Sequence, residues 1–492
     1  MSTVRTALVI AVVMLASACA DPADPEPALT FTPCGDLITI DEQAIPADLR
    51  ASLTYECGKL AVPVDYAAPG EKIDIHVVRV RSSTQHDRIG SLIVNFGGPG
   101  VSGLQSMGHW PGAVSGDVLG RFDLVSFDPR GTGRSAGIRC PDLGESPDVD
   151  VSTEVGFAQF TAEEAKRLKA CADHLGGRAE HFNTTATARD MEAIRSALGD
   201  DKLTYVGYSY GAKLGAEYAD SFPDRVRAVV LDAPSDQALD GLAVHERAIA
   251  GFEDSFARYA DSCSARPSCA QVGDPREMLA DVVAKAATSP IPAKKPGDGR
   301  LADPNDILSG VVAFLYADDQ WPYLDGALLA AATDSDSTEF FAIDDGFDSG
   351  TDDPNIGEPR DAGYVINCND SDSTLSDEEI KAAVAKTIAK FPVFGRWSAY
   401  ALFGCKSWPA ARHPLNRPKA SGAAPILVVG TVHDPATPYA GAVSLAGLLD
   451  SGRLLTWDGD GHTAYHQSIC VDRHVDDYLI SLTLPPPDTH CA

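Results

Sequence analysis

The chain has 492 residues, of which 44% are apolar and 22% charged. That is an ordinary globular composition, and it excludes a disordered chain or a coiled coil. At about 150 residues per domain the length fits about three units, or one large α/β domain with an insertion. Lys+Arg 40 against Asp+Glu 70 gives a net charge of -30, a field that repels phosphate backbones and makes nucleic acid and anionic lipid poor partners.

The first chain segment reads as an export signal over residues 1–18. A lone Arg5 precedes the apolar run 7–16, which is too short to span a bilayer as a mature helix. The run ends in Leu15-Ala16-Ser17-Ala18-Cys19. This resembles a bacterial lipobox, with Cys19 as the lipidated mature N-terminus, although Ala16 stands where such patterns carry Leu. An ordinary Ala-x-Ala cleavage site is the other reading. Either way the protein is expected outside the cytosol, as an outward-facing membrane lipoprotein or secreted, and a lipid anchor at Cys19 would be its one attachment to a membrane. Of eleven cysteines, setting Cys19 aside leaves an even ten, as expected of disulfides in an exported chain. Nearest-neighbour pairing is the simplest of many connectivities: Cys34/Cys57, Cys140/Cys171, Cys263/Cys269, Cys368/Cys405 and Cys470/Cys491. No CxxC or Cys/His spacing suited to zinc appears, so no metal is expected.

Strand signals follow in order. Residues 73–80 alternate, 91–95 form a short buried-strand run ending in glycines, and 122–127 form a third strand closed by Asp128-Pro129-Arg130-Gly131. Residues 187–198 have helical spacing, 203–206 form a strand entering Gly207, and 228–232 form the next. Strands alternating with helices predict a mostly parallel sheet with helices on both faces. From about Gln237 to Trp408 helical segments dominate, and strand patterns return at 425–430 and 453–457. The expected organisation is a core over 30–236, a helical lid inserted over 237–408, and the rest of the core over 409–492.

Gly207-Tyr208-Ser209-Tyr210-Gly211 lies between a strand and a helical segment, the context of a nucleophile elbow. The turn is too tight for side chains at its glycines, and it leaves the Ser209 hydroxyl exposed over a helix N-terminus. A weakly acidic hydroxyl needs a base, and the base needs an orienting carboxylate. On such a fold the chain order is Ser, acid, His. Asp434 is the sole carboxylate just after the 425–430 strand, and His462 follows the 453–457 strand, 28 positions on. Rivals are His433, His466, Asp458 and Asp460, which read as surface, packing or turn-shaping residues. The developing oxyanion needs N–H donors. One is expected from Tyr210 and the other from Asn95-Phe96-Gly97-Gly98-Pro99-Gly100, with Gly100 first and Gly98 in reserve.

These residues resemble a known family. Phe96-Gly97-Gly98-Pro99-Gly100 is similar to the His-Gly-Gly-Pro-Gly segment of prolyl and tripeptidyl aminopeptidases, with Phe96 in place of His. Asp128-Pro129-Arg130-Gly131-Thr132-Gly133-Arg134-Ser135 resembles their Asp-x-Arg-Gly-x-Gly-x-Ser turn. The likeness extends to Ile366-Asn367-Cys368-Asn369-Asp370 and to Asp434-Pro435 and Gly461-His462. It points to secreted tripeptidyl-aminopeptidase-like α/β-hydrolases, including mycobacterial envelope lipoproteins called carboxylesterase or serine protease. The resemblance implies an α/β-hydrolase fold, an acyl-enzyme on Ser209 and no cofactor. It also suggests that Thr437 supports the triad, although a helix N-cap beside Pro438 would use Thr equally well. It places Asp370 and Asn369 over the active site, as groups to receive a free α-amine; a solvated acidic turn is the alternative. A peptidase acting at free N-termini is the first expectation, and a carboxylesterase or lipase with the same triad the second. A non-catalytic ligand-binding lipoprotein is the third, and the intact Ser/Asp/His set argues against it.

Overall fold

The computed structural model describes residues 29–144, 149–346, 353, 356–372 and 374–492. The expected signal segment and Cys19 lie outside these residues.

A ten-stranded sheet runs through the molecule. Its strands are β1 (Thr32–Pro33), β2 (Leu53–Pro63), β3 (Lys72–Ser82), β4 (Gly90–Asn95), β5 (Phe122–Phe127), β6 (Leu203–Tyr208) and β7 (Val226–Asp232), joined by three from the C-terminal part. A two-stranded ribbon of β8 (Ile291–Pro292) and β9 (Leu301–Ala302) intervenes in the chain. The three returning strands are β10 (Ile426–His433), β11 (Gly452–Asp460) and β12 (Thr489–Cys491). The spatial order is β1-β2-β3-β5-β4-β6-β7-β10-β11-β12. Pairs from β1 to β5 through β3 are antiparallel, and every pair from β5 onward is parallel. β4, β5 and β6 are buried at every position, as a parallel sheet covered on both faces requires. Alternate residues feed two cores. Ile93, Val125, Tyr205, Val229 and Val428 enter one, and Leu92, Val94, Leu124, Val206 and Val230 enter the other.

Six helices matter for the site: α1 (Glu154–Leu175), α2 (Thr184–Ala197), α3 (Tyr210–Ser221), α4 (Gly241–Asp261), α5 (Pro304–Phe314) and α6 (Pro359–Asp370). The insertion is helical as expected and has an aromatic core of its own, with Phe252, Phe256, Tyr259, Phe314, Trp321, Phe340 and Phe394. It is not a detached lid. Ala362, Val365, Ile366 and Cys368 of α6 sit in the core on one face of the sheet, beside Tyr210 and Ile93. Phe157 and Phe160 of α1 likewise pack on Val384, Leu402 and Phe403 of the insertion. Burying these apolar faces binds the insertion to the sheet domain along its length. The disulfides are Cys34–Cys57, Cys140–Cys171, Cys263–Cys269, Cys368–Cys405 and Cys470–Cys491.

Candidate active site

The strand β6 ends at Tyr208, α3 begins at Tyr210, and Ser209 between them has φ 55 and ψ -116. A serine held at positive φ is strained backbone, and two glycines make it possible. A Cβ on Gly207 would lie 2.2 Å from the Gly211 carbonyl oxygen, and one on Gly211 would lie 2.5 Å from that of Asn95. The Ser209 N–H donates to the carbonyl of Asp232 at the end of β7 (2.8 Å).

The acid and base come from the next two strands. Asp434 follows β10 directly, and His462 follows β11 by two residues, with His433 registered against Asp460. His462 Nδ1 lies 3.0 Å from both carboxylate oxygens of Asp434. The remaining capacity of that carboxylate is filled by the N–H groups of Ala436 (2.9 Å) and Thr437 (2.8 Å) and by the Thr437 hydroxyl (3.1 Å). Thr437 Oγ1 is also 3.3 Å from His462 Nδ1. Burial alone would push the imidazole pKa down. The charge and hydrogen bond of Asp434, with the charge of Asp232, outweigh it and hold His462 above its usual value. A neutral imidazole with Nδ1–H on a carboxylate keeps Nε2 free to accept a proton, which is the arrangement a general base needs.

The rivals are engaged elsewhere. His433 Nδ1 faces Asp254 at 3.4 Å, Asp458 faces His490 at 3.1 Å, and Asp460 accepts from Arg258 Nη2 at 2.7 Å. His466 stacks on Tyr465 and stands edge-on to Trp110.

The glycine loop after β4 lies against the elbow. Gly97 donates its N–H to Asn95 Oδ1 (3.1 Å), and a Cβ there would sit 2.9 Å from the Tyr208 carbonyl and 3.1 Å from Ser209 Cβ. Gly100 faces the insertion instead, where a Cβ would meet the Pro359 carbonyl at 2.2 Å. Phe96 stacks on Tyr208 and stands edge-on to Trp110, so aromatic packing holds the loop where the resemblance has His. The Asp128 segment is scaffold. Asp128 accepts from the Ser102 hydroxyl and from the N–H groups of Leu104 and Arg134, while Arg130 pairs bidentately with buried Asp190.

Two expectations need correcting. The Asp370 side chain is 1% exposed and fully engaged away from any substrate. It accepts from Thr184 N–H (2.9 Å), from the Thr184 hydroxyl (2.6 Å) and from Lys213 Nζ (3.2 Å). Thr184 Oγ1 is in turn 2.8 Å from the Tyr210 hydroxyl, so Asp370 ties α6 to α2 and α3. Asn369 is buried as well. Its amide donates to the carbonyls of Ala179 (2.7 Å) and Phe182 (2.9 Å) and accepts from Trp408 Nε1 (2.7 Å). The end of α6 points both side chains into the protein, so neither can receive an amine.

The other face of α6 borders open space. A cleft of about 640 Å³ opens between the glycine loop (Gly98, Pro99), α6 and the insertion, and Gly363, Tyr364 and Asn367 of α6 line it. Spacing of three and four residues puts these on one side of the helix, with Ala362, Val365 and Asn369 on the other. Helical phase applied to the segment would have selected Asn367. Tyr316 lines the same cleft, accepts the His462 N–H on its carbonyl (2.7 Å) and sets its ring edge-on to the imidazole. Asp232 also went without a role in the sequence; an acidic residue ending an apolar strand is the signal that marks it.

Comparison with known proteins agrees with this architecture. The α/β hydrolase fold family matches residues 90–284, and the TAP-like protein family matches 391–491. The serine protease Hip1 of Mycobacterium tuberculosis is 36% identical, over 88% of this chain and 87% of its own. Carboxylesterase B of the same organism is 32% identical, over 91% and 88% respectively. Tripeptidyl aminopeptidase of Streptomyces lividans is 31% identical, over 92% and 86%. The chain is an enzyme of the α/β-hydrolase family that contains these serine protease, carboxylesterase and tripeptidyl aminopeptidase relatives.

Proposed function

We propose that this protein is an exported serine peptidase that acts through an acyl-enzyme on Ser209. The observation that carries the reading is the His462 imidazole, bonded through Nδ1 to both oxygens of Asp434, with acid and base following β10 and β11, the two strands beyond β7 on one side of the elbow strand β6. His462 takes the Ser209 proton as the hydroxyl attacks an acyl carbonyl, then returns it to the leaving group. Asp434 fixes the tautomer and stabilises the imidazolium. Thr437 holds the Asp434 carboxylate in place. The oxyanion meets the N–H of Tyr210 and a second N–H from the glycine loop. The contact of Gly97 with the elbow favours Gly98 for that donor over Gly100, which packs on Pro359. Water then releases the acyl group, and no cofactor takes part.

Peptide substrates are favoured by the serine protease and tripeptidyl aminopeptidase relatives, and the latter also supports release of short peptides from free N-termini. Five disulfides suit an oxidising compartment. Lipidation at Cys19 would make the protein an outward-facing membrane lipoprotein.

One observation favours a carboxylesterase as the second reading. Among the described residues lining the cleft none is a carboxylate, and its walls include Val312, Ala313, Tyr316 and Trp397. Rates on free-amine peptide amides, N-blocked peptides and short aryl esters separate the two. Cleavage of free-amine peptides ahead of the blocked ones supports the exopeptidase, whereas ester turnover with no peptide cleavage supports the esterase.

A further inference from the structure

Asp232 ends β7, between β6 and β10, and is fully buried. Its two polar groups serve different halves of the site. The main-chain carbonyl accepts the N–H of Ser209 at 2.8 Å. The carboxylate accepts the N–H of Ala464, at 3.2 and 3.0 Å to its two oxygens, and that of Tyr465 at 2.8 Å. These amides lie just beyond His462, across a turn in which Thr463 has φ 73. We propose that Asp232 is a positioning residue of this active site: its carboxylate holds the loop that carries the base, its carbonyl holds the nucleophile, and one residue thereby sets Ser209 against His462. The inference rests on the assignment of those two residues.

The chemistry of the position supports it. A carboxylate with no exposure is expensive to bury, and no Lys or Arg among the described residues pairs with Asp232. A valine would suit the end of a buried strand better. What the carboxylate supplies is an acceptor for two buried main-chain donors that would otherwise be unpaired. The titratable groups facing it are Tyr208 from β6, Asp434 beyond β10 and His462 beyond β11. Its charge also favours the imidazolium that forms when His462 takes the serine proton. Burial pushes the Asp232 carboxyl up to about 7, against the opposing pull of the Tyr465 and Ala464 amides and of His462. Ionised, it accepts from both amides; protonated, it turns a hydroxyl toward one of them. The loop is therefore held most firmly above neutral pH. As pH falls, a proton on Asp232 joins the proton on His462 in switching the site off.

The test compares Asp232→Asn with the unaltered protein and with Ser209→Ala, counting active sites by end-point labelling with a fluorophosphonate. A carboxamide offers an amino group to one of the two N–H donors, so the base loop shifts while the cleft is untouched. Expected for Asp232→Asn is a fall in kcat per labelled site of about 100-fold, the scale of a slight misplacement of reacting groups, with KM unchanged. The acid limb of kcat/KM should be steeper than one proton allows in the unaltered protein and should fall to one proton in Asp232→Asn. Full activity in Ser209→Ala would remove the nucleophile assignment, and this inference with it. An inactive Ser209→Ala beside an Asp232→Asn protein with normal kcat per site and an unchanged acid limb would overturn the positioning role alone. If Asp232→Asn does not fold, amide hydrogen exchange of the unaltered protein still decides: slow exchange at Ala464 and Tyr465, the two amides held by the carboxylate, supports the inference, and exchange at the rate of an unbonded loop overturns it.

Discussion

The hydroxyl of Thr437 lies between acid and base, 3.1 Å from Asp434 Oδ2 and 3.3 Å from His462 Nδ1. Thr437→Val keeps the shape and the main-chain bond to Asp434 but removes that hydroxyl. A hydrogen bond to a charged group is worth about 2 kcal/mol, so kcat should fall at least tenfold with KM unchanged, and Thr437→Ser should recover most of it in steady-state kinetics. The Asp434 carboxylate also sets the pH at which the base works. Since it raises the His462 pKa against burial, activity should decline as pH falls through a midpoint above the ordinary histidine value. Asp434→Asn removes the raising charge. The acid midpoint should then move to lower pH, while the plateau rate falls by about 10⁴, as when a base loses its orienting carboxylate; a pH–rate profile checks both. The strained turn at Ser209 and the Asp434–His462 pair were legible as a candidate site because glycines, strand ends and chain order confine them to few positions. Asp370 was misread because its partners, Thr184 and Lys213, are 186 and 157 residues away in the chain, and nothing local shows which way the carboxylate turns.

The two faces of α6 make opposite predictions. Asn369→Ala strands two buried carbonyls and the Trp408 indole N–H, each costing about 1–3 kcal/mol. The thermal midpoint should drop sharply, with KM near normal in the surviving protein. Asn367 is exposed in the cleft, so Asn367→Ala should leave stability within about 0.5 kcal/mol and change KM; thermal unfolding and kinetics on the same preparations separate the two. The strands were legible where burial on both faces demands unbroken apolar runs, as at Leu92-Ile93-Val94 of β4 and Ile426-Leu427-Val428-Val429 of β10. β2 carries no such run, because Thr54, Glu56 and Lys59 interrupt it. Glu56 is nonetheless well held there, by bonds from Arg79 and Arg81 on the neighbouring strand. α1 is largely polar, and the aromatic residues it buries, Phe157 and Phe160, find their partners more than 200 residues later.

For the whole molecule, the expected sheet with a helical insertion holds, but the insertion is joined to the candidate site. The Tyr316 carbonyl holds the His462 N–H, Ala317 bridges Gly461, and Arg258 pairs with Asp460. Contacts of this kind link segments far apart in sequence, so no local pattern announces them. The Cys368–Cys405 bond ties α6 to the Gly404–Cys405 segment, which also lines the cleft. Replacing both cysteines by serine should lower stability by about 3 kcal/mol and raise KM, measured by thermal unfolding and by kinetics under oxidising conditions. All of this presumes that Ser209 is the nucleophile. The most direct measurement is a fluorophosphonate reaction on the active protein, followed by intact mass and peptide mapping. The account predicts one adduct per chain, on Ser209, absent from Ser209→Ala and formed more slowly as pH falls through the His462 midpoint. An active preparation that takes no label, or takes it on another residue, would contradict it.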